Sequence, residues 1–131
     1  MVGIQNLDQL MKSMKPELGE SDFILCSVSD KQLVNLKVKP LMTFKEKEGI
    51  TLILYRKDAE VNSIKYEGVW VLITMTVHSD LAAVGFLARL TNALAKEGIS
   101  VNAVSAFYHD HLFVPKEKSK EAMKILKRLS S

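Results

Sequence analysis

A two-layer α/β sandwich, of the α+β kind, is the fold class the sequence predicts, and three patterns predict it. Val71, Ile73, Met75 and Val77 alternate with Trp70, Leu72, Thr74 and Thr76, the period of two that marks a strand with two distinct faces. Phe86, Leu87, Leu90, Ala93 and Leu94 recur along one stripe of a helix over Val84 to Glu97, and Gly98 follows where a left-handed cap is wanted. Strand, strand and helix signals then complete the run to Leu129. Each helix has a single apolar stripe and needs one sheet face to bury it, so two layers follow.

The chain has 131 residues, 47% of them hydrophobic, enough to bury one medium core or two small ones. Leu7, Leu10, Met11 and Met14 share one face of a helix over Asn6 to Met14, with Asn6 as its N-cap. Pro16 and Gly19 stop that helix. Asp22 to Val28 reads as the first strand, closed by a turn at Ser29-Asp30. Between Lys31 and Pro40, Val34, Leu36 and Val38 alternate with Asn35, Lys37 and Lys39, which predicts an edge strand ended by Pro40. A charged turn over Phe44 to Gly49 precedes a strand over Ile50 to Tyr55, and Asp58 to Ile64 suits a short helix.

Glu67-Gly68 marks a boundary, because the strongest pattern starts directly after it. It divides the chain into residues 1–67 and 68–131. The Trp70 face of the next strand is partly apolar, so a second half-domain or a second subunit is expected to cover it. After the loop His78 to Ala83 and the Phe86 helix, Ile99 to Tyr108 reads as a strand, His109-Asp110 as a hairpin turn and Leu112 to Val114 as its partner strand. Ala122, Ile125, Leu126 and Leu129 define the inner face of a closing helix.

Strand, helix, strand, strand, helix is the order of a ferredoxin-like sandwich that lacks its fourth strand, since the chain stops at Ser131. The N-terminal half offers candidates to supply it in Asp22 to Val28 and Ile50 to Tyr55, so the halves are expected to share or exchange strands.

Ser79-Asp80-Leu81-Ala82-Ala83-Val84-Gly85-Phe86-Leu87, followed by Leu94-Ala95-Lys96-Glu97-Gly98-Ile99-Ser100-Val101-Asn102, resembles the ACT domain, a regulatory module that often binds amino acids. Asp80, Gly85, Gly98 and Ile99 carry the likeness. Glu48-Gly49-Ile50-Thr51-Leu52 is similar to the N-terminal half of small bacterial proteins with two ACT-like halves. The sequence departs from the commoner pattern in having Val84 where a proline usually precedes the glycine, and in its longer loop through Leu81-Ala82-Ala83. The resemblance implies a sensor for an amino acid or similar small ligand, with Ser79, Asp80, Leu81, Val84, Gly85, Phe86 and Asn102 at the site.

The residues themselves give that site a physical reason. Helix N-termini present unpaired N–H groups and partial positive charge to a carboxylate, Gly85 admits a close approach, and Asp80 or Ser79 would meet an ammonium. The same residues are open to a plainer reading, in which Ser79 or Asp80 caps the helix, Asn102 satisfies a nearby backbone group and Gly85 relieves crowding.

Other chemistry finds less support. His109-Asp110-His111 is too small a set for a metal site and reads as a turn. Glu46, Glu48 and Asp58 sit in solvated surroundings and suggest no shared catalytic pocket. With no nucleophile–base pair and no phosphate loop, the expectation is a protein that is not an enzyme and uses no cofactor. A net charge of +3 requires no nucleic acid and no membrane, and the lysines of the last helix read as a solvated face. Phe107 and Tyr108, adjacent in a strand, point to opposite faces and form no RNA-stacking platform. The single cysteine, Cys26, sits in an apolar run and reads as packing. A cytoplasmic homo-oligomer is the expectation that remains.

Overall fold

The computed structural model describes residues 3–131. Its elements are α1 (Leu7–Ser13), β1 (Pro16–Val28), α2 (Asp30–Val34), β2 (Met42–Lys45), β3 (Ile50–Tyr55), α3 (Arg56–Val61), β4 (Trp70–Met75), α4 (Phe86–Lys96), β5 (Asn102–Ser105), β6 (Asp110–Pro115) and α5 (Ser119–Leu129). They fall into two compact units, one made of the residues up to Glu20 together with Val71–Ser131, the other of Ser21–Trp70. Strand β1 passes from the first unit to the second.

In the first unit the neighbours run β1, β4, β6, β5. Counted from β4, that is the order fourth, first, third, second of a ferredoxin-like sandwich, and the Pro16–Glu20 stretch of β1 supplies the missing fourth strand from upstream. A β-carbon on Gly19 would sit 3.5 Å from the Leu72 carbonyl oxygen, which reflects that close lateral packing. Along β4 the predicted alternation holds: Val71, Ile73 and Met75 are buried, while Trp70, Leu72 and Thr74 are half-buried. Helices α4 and α5 supply Phe86, Leu90, Leu94, Ala122, Ile125 and Leu126 to the same core, and α1 adds Leu10 and Met11, followed by its C-cap Met14. Asn6 caps α1, its Oδ1 accepting the Gln9 amide at 2.9 Å, as its place in the sequence predicts. Gly98, at φ 73, ends α4 in the left-handed conformation.

The second unit pairs β2, β3 and the Ser21–Val28 part of β1, all antiparallel, with Phe23 opposite Tyr55 and Val28 opposite Ile50. Ile24, Leu52, Leu54 and Ala59 centre its core.

Three expectations need correction. The Lys31 to Pro40 segment is no edge strand: Asp30–Val34 is helical because Ser29 and Gln32 form a reciprocal capping box, each side chain bonding the other's backbone amide. The first strand begins at Pro16, six residues ahead of the predicted start: α1 has already ended at Ser13 with Met14 as its C-cap, Pro16 opens the strand and Gly19 lies within it. The last hairpin turns at residues 106–109, with the Ala106 amide donating to the His109 carbonyl at 3.0 Å; Asp110 and His111 belong to β6. Pairing Ser105 with Asp110 places the turn residues Phe107 and Tyr108 outward, both more than half exposed. No helix among the described residues is long and apolar enough to cross a membrane.

Candidate functional site

The segment after β4 is anchored from the N-terminus. Ile4 and Ser79 form a parallel bridge, in which the Ile4 amide donates to the His78 carbonyl at 2.9 Å and the Asp80 amide donates to the Ile4 carbonyl at 3.0 Å. Gly3 is what allows the approach. A β-carbon there would lie 2.7 Å from the Asp80 nitrogen and 2.8 Å from the His78 oxygen, inside any tolerable contact with backbone.

Asp80 then folds the loop onto itself. Its Oδ1 accepts the Ala82 amide at 2.8 Å and its carbonyl accepts the Ala83 amide at 2.9 Å, an Asx-type turn. Gly85 follows at φ 90, a left-handed residue at the N-cap position of α4, and its carbonyl accepts the first helical bond from the Arg89 amide at 3.0 Å. No side chain among the described residues caps this helix. The first-turn amides of Phe86, Leu87 and Ala88 therefore receive no side-chain acceptor, and with the helix dipole they leave a weakly positive end.

From the opposite side, β6 brings Asp110. Its Oδ1 accepts the Ser105 hydroxyl at 2.6 Å and its Oδ2 accepts the Ser79 hydroxyl at 3.3 Å. Ser79 and Asp110 are each 8% exposed, the two buried polar residues among those described. A carboxylate has about four lone-pair sites, so two hydroxyls leave Asp110 with accepting capacity to spare. The space between these groups is a cavity of about 200 Å³ lined by Ser79, Asp80, Leu81, Phe86, Ser105 and Asp110. That is below the roughly 300–1,000 Å³ of sites for drug-sized ligands, and suits a smaller guest.

Of the residues singled out in the sequence, Ser79, Asp80, Leu81 and Phe86 border this cavity. Val84 points to solvent at 83% exposure, Gly85 caps α4, and Asn102 sits exposed at the start of β5 opposite Phe113; none of the three lines the space. Ser105 and Asp110 are the additions. Sequence reasoning missed them because Asp110 follows a histidine in what reads as a turn, and the strand register that turns it inward depends on where the hairpin bends.

The histidines of the hairpin lean on β4 and the loop beyond it. His109 donates from Nδ1 to the Val77 carbonyl at 3.1 Å, and His111 Nδ1 shares a 2.9 Å hydrogen bond with Thr74 Oγ1. Burial, and then the neighbouring His109, push the His111 imidazole below its ordinary pKa, with Asp110 opposing. Among the described residues no three His, Cys, Asp or Glu side chains are grouped to hold a metal ion. Cys26 is half-buried, and burial alone pushes its thiol up, away from the reactive thiolate.

Comparison with known proteins places these features. One profile of the ACT domain matches residues 2–71 and a second ACT domain profile matches residues 66–128. A crystal structure of a Vibrio cholerae protein of unknown function, described as a possible transport protein, is 38% identical with a TM-score of 0.83, covering 95% of this chain and 96% of that one. The regulatory subunit of aspartate kinase from Thermus thermophilus, in its ligand-free form, shares the fold at a TM-score of 0.67 with 10% identity, covering 89% of this chain and 98% of that one. The corresponding subunit from Thermus flavus has a TM-score of 0.64 with 9% identity and full coverage of both chains. No curated protein matches the sequence significantly. Two successive profile matches, which together span residues 2–128, establish that the chain belongs to the ACT domain family and holds two such domains in tandem.

Proposed function

We propose that this protein is a regulatory or sensor module that takes an amino acid, or a similar small zwitterion, into the cavity between the Ser79–Phe86 loop and the β5–β6 hairpin. ACT domains are regulatory, commonly amino-acid-binding modules, and that supports the class of function. The observation that carries the reading is the pairing of the buried Asp110 carboxylate with the uncapped first turn of α4 around one small space. An ammonium complements the carboxylate, and an α-carboxylate complements the helix end. The loop amides at Asp80, Ala82 and Ala83 are already bonded to protein oxygens, so the role of anion donor falls to Phe86 and Leu87, the first-turn residues that line the space. No nucleophile, metal or cofactor enters this account. Bound ligand would act by favouring one arrangement of loop and hairpin over another, which a partner then reads.

Calorimetric titration and thermal shift with the common amino acids test it directly. At least one is expected to bind and raise the melting temperature, and Asp110→Asn is expected to weaken that binding by about tenfold or more, the scale of a lost charge-assisted hydrogen bond. No heat and no shift with any of them would remove the reading.

A second reading has its own support. Leu81 and Val84 on the loop and Phe107 and Tyr108 on the hairpin turn are large apolar residues at 55–83% exposure, which favours a protein-interaction surface, with homodimerisation as its simplest form. Sedimentation separates the two: a monomer at all concentrations, with ligand or without, would eliminate the homodimer.

A further inference from the structure

A larger cavity is lined wholly by residues of the Ser21–Trp70 unit and shares none with the ligand site proposed above. It measures about 520 Å³, within the range of small-molecule sites. Ser27 at the end of β1, Gln32 and Asn35 around α2, and Asn62, Ser63 and Lys65 after α3 form its polar walls. Buried Val28, with half-buried Leu36 and Ile64, gives it an apolar floor continuous with the core. The walls are tied together by Asn62, whose Oδ1 accepts the Lys37 amide at 3.2 Å while its Nδ2 donates to the Asp58 carbonyl at 2.8 Å. These bonds join the segment after α2 to the end of α3.

One residue in that wall is in an expensive conformation. Helix α3 ends with the Ile64 amide donating to the Ala59 carbonyl at 2.9 Å and the Ser63 amide to the Glu60 carbonyl at 3.1 Å, a Schellman closure that needs a left-handed residue at position 63. That residue is Ser63, at φ 55, and every other described residue with positive φ is a glycine. Helix α4 shows the contrast, for it ends on Gly98 with nothing within 4 Å of where a β-carbon would go. Where the cap faces open space the chain uses glycine. Where it lines the cavity the chain keeps a hydroxymethyl group, against the steric preference of the backbone.

The chemistry of the walls defines what would fit. Hydroxyl and amide side chains both donate and accept, which matches a guest with several hydroxyls. Lys65 is the single charged group among the lining residues, so the guest carries one negative charge and no ammonium needs a partner. A flatter groove alongside shares Ser27, Ile64 and Lys65 and adds Glu67 beyond them. We propose that this cavity is a second, independent small-molecule site, for a hydroxylated monocarboxylate such as a short sugar acid, with Ser63 held left-handed to present its hydroxyl to that guest.

The test is titration of the full chain with sodium glycerate and sodium gluconate at matched ionic strength, up to about 10 mM, where a millimolar site would be nearly saturated. Glycerol supplies hydroxyls without charge, acetate supplies charge without hydroxyls, and glycine adds an ammonium. At least one hydroxy acid is expected to bind about tenfold or more tightly than any of these three. Lys65→Gln should remove most of that affinity. Ser63→Gly should raise the melting temperature of the unliganded protein by a few degrees while weakening hydroxy-acid binding severalfold, a division that a purely structural serine would not produce. The proposal is overturned by silence towards both hydroxy acids, by acetate or glycine binding as well as they do, or by a Ser63→Gly variant that binds normally or melts no higher than the parent.

Discussion

In the unit built from the residues up to Glu20 and Val71–Ser131, sixteen buried apolar residues form one cluster, and in Ser21–Trp70 six do. The helices account for the difference. Helices α4 and α5 have eleven residues each, long enough to present a full apolar stripe, and each contributes three buried residues. Helices α2 and α3 have five and six residues; the first buries none and the second buries Ala59 alone. Burial of apolar area is the main source of stability, so the two units should not resist opening equally. The larger core carries the loop and hairpin of the proposed amino-acid cavity. The smaller one relies more on polar ties such as the Ser29–Gln32 box, the Asn62 bonds and the Arg56 contacts to Asp22, Glu60 and Tyr66.

Truncation of Leu90, fully buried in α4, should break the comparison hardest. Leu90→Ala is expected to cost about 2–5 kcal/mol in urea unfolding, as for other leucines in close-packed cores. Leu52→Ala, equally buried in the second unit, should fall at the lower end of that range because a small core near the surface relaxes more readily. Equal losses, or a larger one for Leu52, would contradict the view that the two cores differ in strength. Next in size is Gly3→Val. Its β-carbon would meet the backbone of His78, Ser79 and Asp80 within 2.8 Å, so the N-terminal segment must leave its place beside the loop or the loop must shift. We expect a loss of about 1–3 kcal/mol, typical of overpacking, together with weaker amino-acid binding. A variant as stable as the parent would show that the Ile4–Ser79 bridge contributes little.

The same contrast governs how much could be read from the sequence. Long periodic stretches announced themselves: the β4 alternation, the α4 stripe and the Gly98 cap follow from spacing alone, because they express burial on one face of a regular element. The second unit was harder. Val34, Leu36 and Val38 alternate like a strand, yet Val34 is 83% exposed and the Ser29–Gln32 box decides the local structure. That signal was present in the sequence as Ser-x-x-Gln, and local hydrogen bonding outweighed a weak periodicity. The candidate cavity was legible on its loop side, through Ser79, Asp80, Leu81 and Phe86, and illegible on its hairpin side. Asp110 enters only through the register of β5 with β6, a non-local fact that no window of residues contains. The joining of residues before Glu20 to the strand at Val71 is non-local in the same way.

A milder perturbation sharpens the comparison in the second unit. Ser29→Ala removes the hydroxyl that accepts the Gln32 amide at 3.1 Å and leaves the start of α2 without its reciprocal cap. The expected loss is about 1 kcal/mol, the usual value for a cap. Because α2 buries no residue of its own, the effect should appear as faster hydrogen exchange across residues 30–35, with little change in α4 or α5. Uniform acceleration over both units would mean that they open together, and that the difference in core size has no thermodynamic counterpart.

The smallest effect concerns pH in the first unit. His111 is partly buried on β6, and its folded pKa lies below the ordinary value through burial and the nearby His109. The unfolded chain therefore binds the proton more readily than the folded one. Above the ordinary histidine pKa of about 6.5 both states are neutral, and the contribution of His111 to stability is fully present. As the pH falls below that value the unfolded state protonates first, and stability declines until the folded pKa is passed. Protonation also competes with the 2.9 Å bond between Nδ1 and Thr74 Oγ1 in any tautomer that accepts from the hydroxyl. Melting curves taken from pH 8 down through the histidine range should show a shallow decline below about pH 6.5 that is reduced in His111→Gln, which keeps a polar group at the site. An unchanged slope in the variant would assign the acid sensitivity elsewhere, and since His111 adjoins Asp110, a pH-independent amino-acid affinity across the same range would show that this hairpin holds its carboxylate in place whatever the charge on its neighbour.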